Sequence, residues 1–60
     1  MKTILTITNV KTGMSIVNND NTDWGSFTIL RKYDEGIWEI RGISGVTTLF
    51  ESEFKFWSLV

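Results

Sequence analysis

Residues 26–41, Ser26-Phe-Thr-Ile-Leu-Arg-Lys-Tyr-Asp-Glu-Gly-Ile-Trp-Glu-Ile-Arg41, are the part of the chain from which its fold is best predicted. Two runs of β-branched and aromatic residues flank the triplet Asp34-Glu35-Gly36, and such residues favour the pleated surface of a strand. A three-residue hairpin loop ends in a left-handed residue, a conformation that glycine adopts at the least steric cost. The segment therefore predicts a β-hairpin with its turn at residues 34–36.

The register of this hairpin follows from the position of its loop. Arg31 should face Glu39 across the two strands, and the two side chains should form an ion pair on the outer face, where Arg41 also lies. Leu30 should then face Ile40, and strand alternation predicts that the inward-pointing side chains are Leu30, Trp38 and Ile40. Of these we expect Trp38 and Ile40 to be core residues.

Two further triplets, Lys11-Thr12-Gly13 and Ile43-Ser44-Gly45, also end in glycine and lie between β-rich runs. Three such turns between short apolar runs indicate an antiparallel meander. We therefore predict an all-β protein, a small five- or six-stranded antiparallel meander that forms a strongly curved sheet or an SH3-like barrel. Curling or closing the sheet would bury one face and protect its edges. The whole chain, residues 1–60, is predicted to be a single domain.

The predicted strands contain no proline and occupy residues 3–10, 14–17, 26–33, 37–41 and 46–50, with a last strand at residues 55–59. The third turn leaves two registers open, because a two-residue Ser44-Gly45 loop would exchange Phe50 for Leu49 on the inner face. The C-terminal stretch fits two periods, since Phe50, Phe54 and Trp57 have helical spacing and Phe54, Phe56 and Ser58 have strand spacing. Of the two we predict a tight turn at residues 51–54 followed by the last strand. Between the first turn and the long hairpin, residues 18–25 form a polar surface loop, and Trp24 at its end is expected to fold back onto the sheet.

Composition removes several classes of function. The chain has 60 residues, no Cys, no His and a net charge of −1. Disulfides and thiolate metal sites are therefore impossible, and the commonest transition-metal ligand is missing. The charge balance lacks the basic excess that nucleic-acid binders usually carry. We expect no cofactor, no metal and no membrane-spanning segment, and we expect a cytoplasmic protein.

Candidate catalytic and ligand-binding patterns are weak. Glu51 and Glu53 could act as paired carboxylates, but a domain with one thin core has little room for a substrate pocket, so we expect a non-enzyme with solvated carboxylates. The loop at residues 18–25 offers oxygen ligands without the closing glutamate of a calcium loop. The Gly-x-x-Gly pattern at residues 42–45 lies between strands, where a hairpin turn explains it better than RNA binding.

The aromatic residues are the strongest functional signal. Three tryptophans in 60 residues either fill the core or anchor a partner, since Trp is enriched at interface hot spots. If residues 55–59 are a strand with Phe54 and Phe56 inward, its other face is exposed at a sheet edge that could pair with another chain. The predicted partner-binding residues are Trp57, Leu59, Phe56 and Trp24.

These observations predict a non-catalytic protein–protein interaction module. The partner would be another protein or a second copy in a homodimer. In length and composition the chain resembles the small all-β accessory proteins encoded by phages and other mobile elements, and that resemblance implies a protein that binds and modulates one factor. The alternative is a β-barrel that binds single-stranded nucleic acid or a small ligand, with Arg31, Lys32, Arg41 and Lys55 beside the aromatic residues.

Overall fold

The computed structural model describes residues 3–60, and its core element is one five-stranded antiparallel sheet. The strands are β1 (Ser15–Asn18), β2 (Ser26–Asp34), β3 (Ile37–Gly42), β4 (Gly45–Phe50) and β5 (Trp57–Leu59). Two 3-10 helices, Thr22–Trp24 and Glu51–Phe56, connect β1 to β2 and β4 to β5. The strand order is β4-β3-β2-β1-β5. The predicted all-β meander is confirmed, and the sheet stays open instead of closing into an SH3-like barrel.

The N-terminal segment does not form the predicted strand over residues 3–10. It makes one isolated bridge, in which Ile4 pairs with Ser58 of β5. The N–H of Leu5 donates to the carbonyl of Trp57 at 2.9 Å. The short segment therefore covers the edge of β5, and the buried Leu5 side chain joins the core.

The rest of this segment turns away because its own polar side chains bind the backbone. The Oδ1 of Asn9 accepts the N–H of Thr6 at 2.9 Å, and the hydroxyl oxygen of Thr6 accepts the N–H of Asn9 at 3.2 Å. Threonine and asparagine offer the backbone such local alternatives to a strand ladder. The β-branched composition that predicted a strand is overruled here by these side-chain bonds.

The three predicted turns are present, and the hairpin loops are shorter than expected. Asp34 pairs with Ile37, so the loop of the long hairpin is Glu35-Gly36, and Gly36 has a φ of 75°. The third loop is Ile43-Ser44, closed by a Gly42–Gly45 pair. A two-residue loop matches the right-handed twist of its flanking strands.

Two register shifts in β2 change which of its residues enter the core. They lie between Ile29 and Arg31 and between Lys32 and Asp34, so that Ile29 faces Ile40. The predicted Arg31–Glu39 ion pair is present at 3.0 Å. The prediction that Leu30 faces Ile40 is wrong, because a bulge sets two residues of one strand against one of the other.

The third hairpin takes neither of the two registers left open, because its loop is Ile43-Ser44, but it places Leu49 inside as the Ser44-Gly45 loop would have done. Leu49 faces Trp38 and is buried, whereas Phe50 faces Ile37 and keeps 48% of its surface exposed. A shift by one residue would reverse these two side chains, so burial of Leu49 selects the register.

One cluster of buried apolar side chains forms the core. Its members are Leu5, Ile16, Phe27, Ile29, Ile40, Leu49, Phe54 and Trp57. The prediction for Ile40 is confirmed. Trp38 packs against this cluster and is half-buried, with its ring centroid 6.4 Å from that of Phe54. Trp38 therefore lies at the margin of the core.

The C-terminal segment follows helical spacing where a turn and a longer strand were predicted. The 3-10 helix Glu51–Phe56 extends further than the predicted turn and leaves a short β5. The helix ends at Phe56, and Trp57 begins β5 with extended backbone angles. Phe54 and Trp57 both point into the core, whereas Phe56 points outward with 43% of its surface exposed. The prediction that Phe54 and Phe56 share a face is wrong.

Substitution of Gly42 tests the close packing of its backbone against the Phe27 ring. A Cβ at this position would overlap the Phe27 ring, with Cδ2 only 2.6 Å away. That ring meets Trp57 edge-on, with the centroids 5.2 Å apart, and so has little freedom to move. Gly42→Ala should lower the free energy of unfolding by about 1–3 kcal/mol, measured by chemical denaturation.

The matched control is the double variant Gly42→Ala, Phe27→Leu. The smaller leucine makes room for the new methyl group, so the double variant should lose less stability than the sum of the two single variants. Strictly additive losses would show that Gly42 and Phe27 do not compete for the same space.

Candidate functional site

A depression of about 240 Å³ lies where the loop after β1 meets the C-terminal segment. Its lining residues are Asn18, Asp20, Asn21, Glu53, Phe56 and Trp57. The predicted partner-binding residues Phe56 and Trp57 are among them. We call this feature the acidic depression, because Asp20 and Glu53 supply its only charged side chains.

The loop that forms one side of the acidic depression is shaped by Asn18. Its side chain is buried, and its Oδ1 accepts the backbone N–H of Asp20 at 3.0 Å and the side-chain N–H of Asn21 at 3.1 Å. An asparagine bonded to the backbone two residues on forms an Asx-turn. The carboxylate of Asp20 takes no part in these bonds and is left to face the depression.

Asn19 ties this loop to the C-terminal segment. Its backbone N–H donates to the carbonyl of Phe56 at 2.8 Å, and its Oδ1 accepts the hydroxyl of Ser58 at 2.7 Å. Ser58 is fully buried. A buried hydroxyl without a partner is costly, so this bond strongly favours one position of the loop against β5.

Trp57 forms the floor of the acidic depression and is not the exposed anchor that was predicted. It keeps only 7% of its surface exposed and packs edge-on against Phe27. Trp24 folds back as expected, with its ring centroid 6.5 Å from that of Trp57, and 46% of its surface remains exposed. Of the four predicted partner-binding residues, Trp24 and Phe56 are therefore the aromatic ones that stay exposed to solvent.

Leu59 lies apart from this arrangement. It pairs with Ile16 on β1 and packs against the core while half-buried. The expectation that Leu59 is exposed at a free edge is wrong, because its N–H donates to the carbonyl of Thr3 at 2.8 Å. The open edge of the sheet is β4 instead.

The two C-terminal glutamates have different surroundings. Glu51 Oε2 accepts the indole N–H of Trp38 at 2.9 Å and lies 3.8 Å from Lys32 Nζ. Glu53 lines the acidic depression. Glu51 thus links the 3-10 helix to β2 and β3, and a shared role with Glu53 as a catalytic pair gains no support from these contacts.

The lining of the acidic depression holds two carboxylates, Asp20 and Glu53, and two amides, Asn18 and Asn21. Within residues 3–60 no group of three or more His, Cys, Asp or Glu side chains is placed to hold a metal ion. The cation nearest to its aromatic wall is Lys55, whose Nζ lies 5.4 Å from the centroid of the Phe56 ring. The chemistry on offer is hydrogen-bond acceptance by carboxylate and amide oxygens beside an aromatic face.

The sequence did not predict that Asn18 shapes the loop or that Asn19 bonds it to the C-terminal segment. Sequence reasoning treated residues 18–25 as a turn-rich loop, and it did not connect them to β5 or to Glu53. The signal was available in part, because Asn18 follows the last apolar residue of the β1 run and a buried asparagine there can organise a turn. The long-range bond from Ser58 could not be predicted from local pattern.

Comparison of the chain with protein-family models, with curated proteins and with solved structures found no match. Among the described residues, no helix has both the length and the apolar character needed to cross a bilayer.

Replacement of Glu51 tests its structural role. Glu51→Ala removes the acceptor for the half-buried Trp38 N–H and should cost about 1–2 kcal/mol of unfolding free energy. Glu51→Gln keeps an acceptor oxygen and loses only the partly exposed ion pair, so its cost should stay below about 1 kcal/mol. Thermal and urea denaturation measure both.

Glu53→Ala is the control for these variants. Its side chain has no hydrogen-bond or ion-pair partner among residues 3–60, so stability should stay within about 0.5 kcal/mol of the wild type. Equal losses from Glu51→Ala and Glu53→Ala would contradict the structural role assigned to Glu51.

Proposed function

We propose that this protein is a non-catalytic module that binds another protein through the acidic depression and the two aromatic side chains beside it, Trp24 and Phe56. The observation that carries this proposal is that both rings, with 46% and 43% of their surfaces exposed, lie beside a depression whose charged lining residues are both carboxylates. Aromatic anchors around a pocket are the usual source of binding energy at protein interfaces.

The chemistry of the acidic depression favours a basic side chain of the partner. Asp20 and Glu53 provide carboxylates, and Asn18 and Asn21 add amide groups. The ring of Phe56 already carries Lys55, whose Nζ lies 5.4 Å from its centroid, and its exposed surface is offered to the apolar stem of such a side chain. An arginine or lysine that enters the depression would gain charge-assisted hydrogen bonds to the carboxylates while its stem packs on the ring.

The size of the acidic depression suits one side chain. Its volume of about 240 Å³ is below the range of about 300–1,000 Å³ that small-molecule pockets occupy. A partner would then combine one basic residue in the depression with an apolar residue on Trp24. The buried Trp57 floor and the Asn19 bonds hold the walls in place, which lowers the ordering cost of binding.

Binding of single-stranded nucleic acid is the less favoured alternative, because two of the candidate phosphate-binding cations lie beside carboxylates of the chain itself. Arg31 pairs with Glu39, and Lys32 lies beside Glu51. The exposed Phe56 adjoins a depression lined by carboxylates, which repel phosphate. Modulation of one factor, as the resemblance to phage-encoded accessory proteins implies, remains a prediction.

A displayed library of random peptides, selected against the immobilised protein, tests the proposal. Enriched peptides should carry Arg or Lys within a few residues of an aromatic or aliphatic residue. The double variant Asp20→Asn, Glu53→Gln should weaken binding of such a peptide at least about tenfold, as should Phe56→Ser, measured by calorimetry. The Asp20 change spares the Asx-turn, which uses only its backbone N–H.

The double variant Asp34→Asn, Glu35→Gln, in the exposed turn of the long hairpin, is the charge-matched control and should leave peptide affinity unchanged, since an asparagine at position 34 keeps the acceptor for the N–H of residue 35. Peptides without a basic residue, or affinity that is indifferent to both depression variants, would contradict the proposal. Binding of random single-stranded oligonucleotides with a steep salt dependence would favour the alternative.

A further inference from the structure

The two edges of the sheet differ in how they are covered. The outer edge of β5 is bonded to residues 3–5 through the Ile4–Ser58 bridge. β4 forms the opposite edge, and within residues 3–60 it pairs with β3 alone. An edge strand presents a row of backbone donors and acceptors to which another strand can add.

The bond that follows β4 shows which of its backbone groups face outward. The N–H of Glu51 donates to the carbonyl of Gly36 at 2.9 Å. Hydrogen-bonded and non-hydrogen-bonded pairs alternate in an antiparallel ladder, so the residues of β4 that bond to β3 are Gly45, Thr47 and Leu49. The N–H and C=O groups of Val46, Thr48 and Phe50 therefore point away from the sheet.

β4 carries none of the usual protection of an edge strand. Residues 43–50 contain no charged residue and no proline, and the β3–β4 pairing runs without a register shift. Val46 and Phe50 expose 57% and 48% of their surfaces. Natural edges are commonly blocked by lysine, proline or a bulge, and a neutral, regular edge with exposed apolar groups is ready to pair.

We propose that β4 pairs antiparallel with β4 of a second copy, about a twofold axis that passes through Thr48. In this register Thr48 faces Thr48 of the other copy, and Val46 faces Phe50. Every outward N–H and C=O of the three residues is then bonded. Moving the axis to Thr47 leaves Phe50 without a strand partner, and moving it to Leu49 does the same to Val46.

The side chains of β4 fit a second copy of themselves. Val46 against Phe50 is a β-branched–aromatic pair, and facing threonines can hydrogen-bond, both of which stabilise antiparallel neighbours. A neutral strand meets its own copy without opposing like charges. An isologous contact needs this self-complementarity, since the same patch serves both subunits. The proposal does not depend on the acidic depression.

Sedimentation of wild-type protein up to about 1 mM tests self-association, since a dimer with a dissociation constant in that range is still well populated there. We expect concentration-dependent dimers. Thr48→Lys should weaken the dimer at least about tenfold, because two lysines would face each other at the axis. The monomer should tolerate this lysine, which lies beside Glu39 on β3.

Thr12→Lys is the matched control, because it makes the same change at an exposed threonine in the turn before β1, with β2 and β3 between that strand and β4. It should dimerise as the wild type does. Wild-type protein that stays monomeric at about 1 mM, or dimers that Thr48→Lys leaves unchanged, would overturn the proposal.

The register can be trapped covalently, because the chain has no cysteine of its own. Facing residues of a hydrogen-bonded pair lie about 5.5 Å apart at Cα, within disulfide range. Thr48→Cys should therefore form disulfide-linked dimers under mild oxidation, and Val46→Cys should not. A mixture of Val46→Cys and Phe50→Cys should give the mixed dimer. Equal cross-linking of Thr48→Cys and Val46→Cys would overturn this register.

Discussion

The edge-on contact between Phe27 and Trp57 is the interaction on which the rest of this small structure depends. It joins β2, in the middle of the meander, to β5, which returns from the far end of the chain. Gly42 has no side chain and so leaves room for the Phe27 ring, and the ring centroid of Trp24 lies 6.5 Å from that of Trp57. A chain of this length buries only about 60% of its unfolded surface, so each aromatic contact carries a large share of the stability.

The same contact decides what the surface can offer. With Trp57 turned inward, the spacing of the 3-10 helix turns Phe56 outward, and the acidic depression forms between Phe56 and the asparagine-rich loop. Asn19 then bonds both to the backbone of Phe56 and to the buried Ser58. Residues 56–58 thus contribute both to the core and to the proposed binding surface. The packing that fixes Trp57 and Ser58 therefore also fixes the position of Phe56.

The two edges of the sheet differ in structure. Residues 3–5 cover the outer edge of β5. β4 forms the opposite edge, where its outward N–H and C=O groups have no strand partner within residues 3–60 and its side chains carry no charge. Two surfaces with different chemistry result. The acidic depression suits a basic side chain, and the β4 edge suits another strand. A domain with both could bind a partner and its own copy at the same time, because they lie at opposite ends of the strand order.

The sequence by itself determined the all-β class, the three turns, the Arg31–Glu39 pair and the inward position of Ile40, since each depends on residues that lie close together along the chain. It did not determine the fate of residues 3–10, the bulges of β2 or the burial of Trp57. Thr6 and Asn9 compete locally with a strand ladder, and a bulge depends on which side chain fills the core. The C-terminal segment fits helical and strand periods alike, and only packing of Trp57 on Phe27 chose between them.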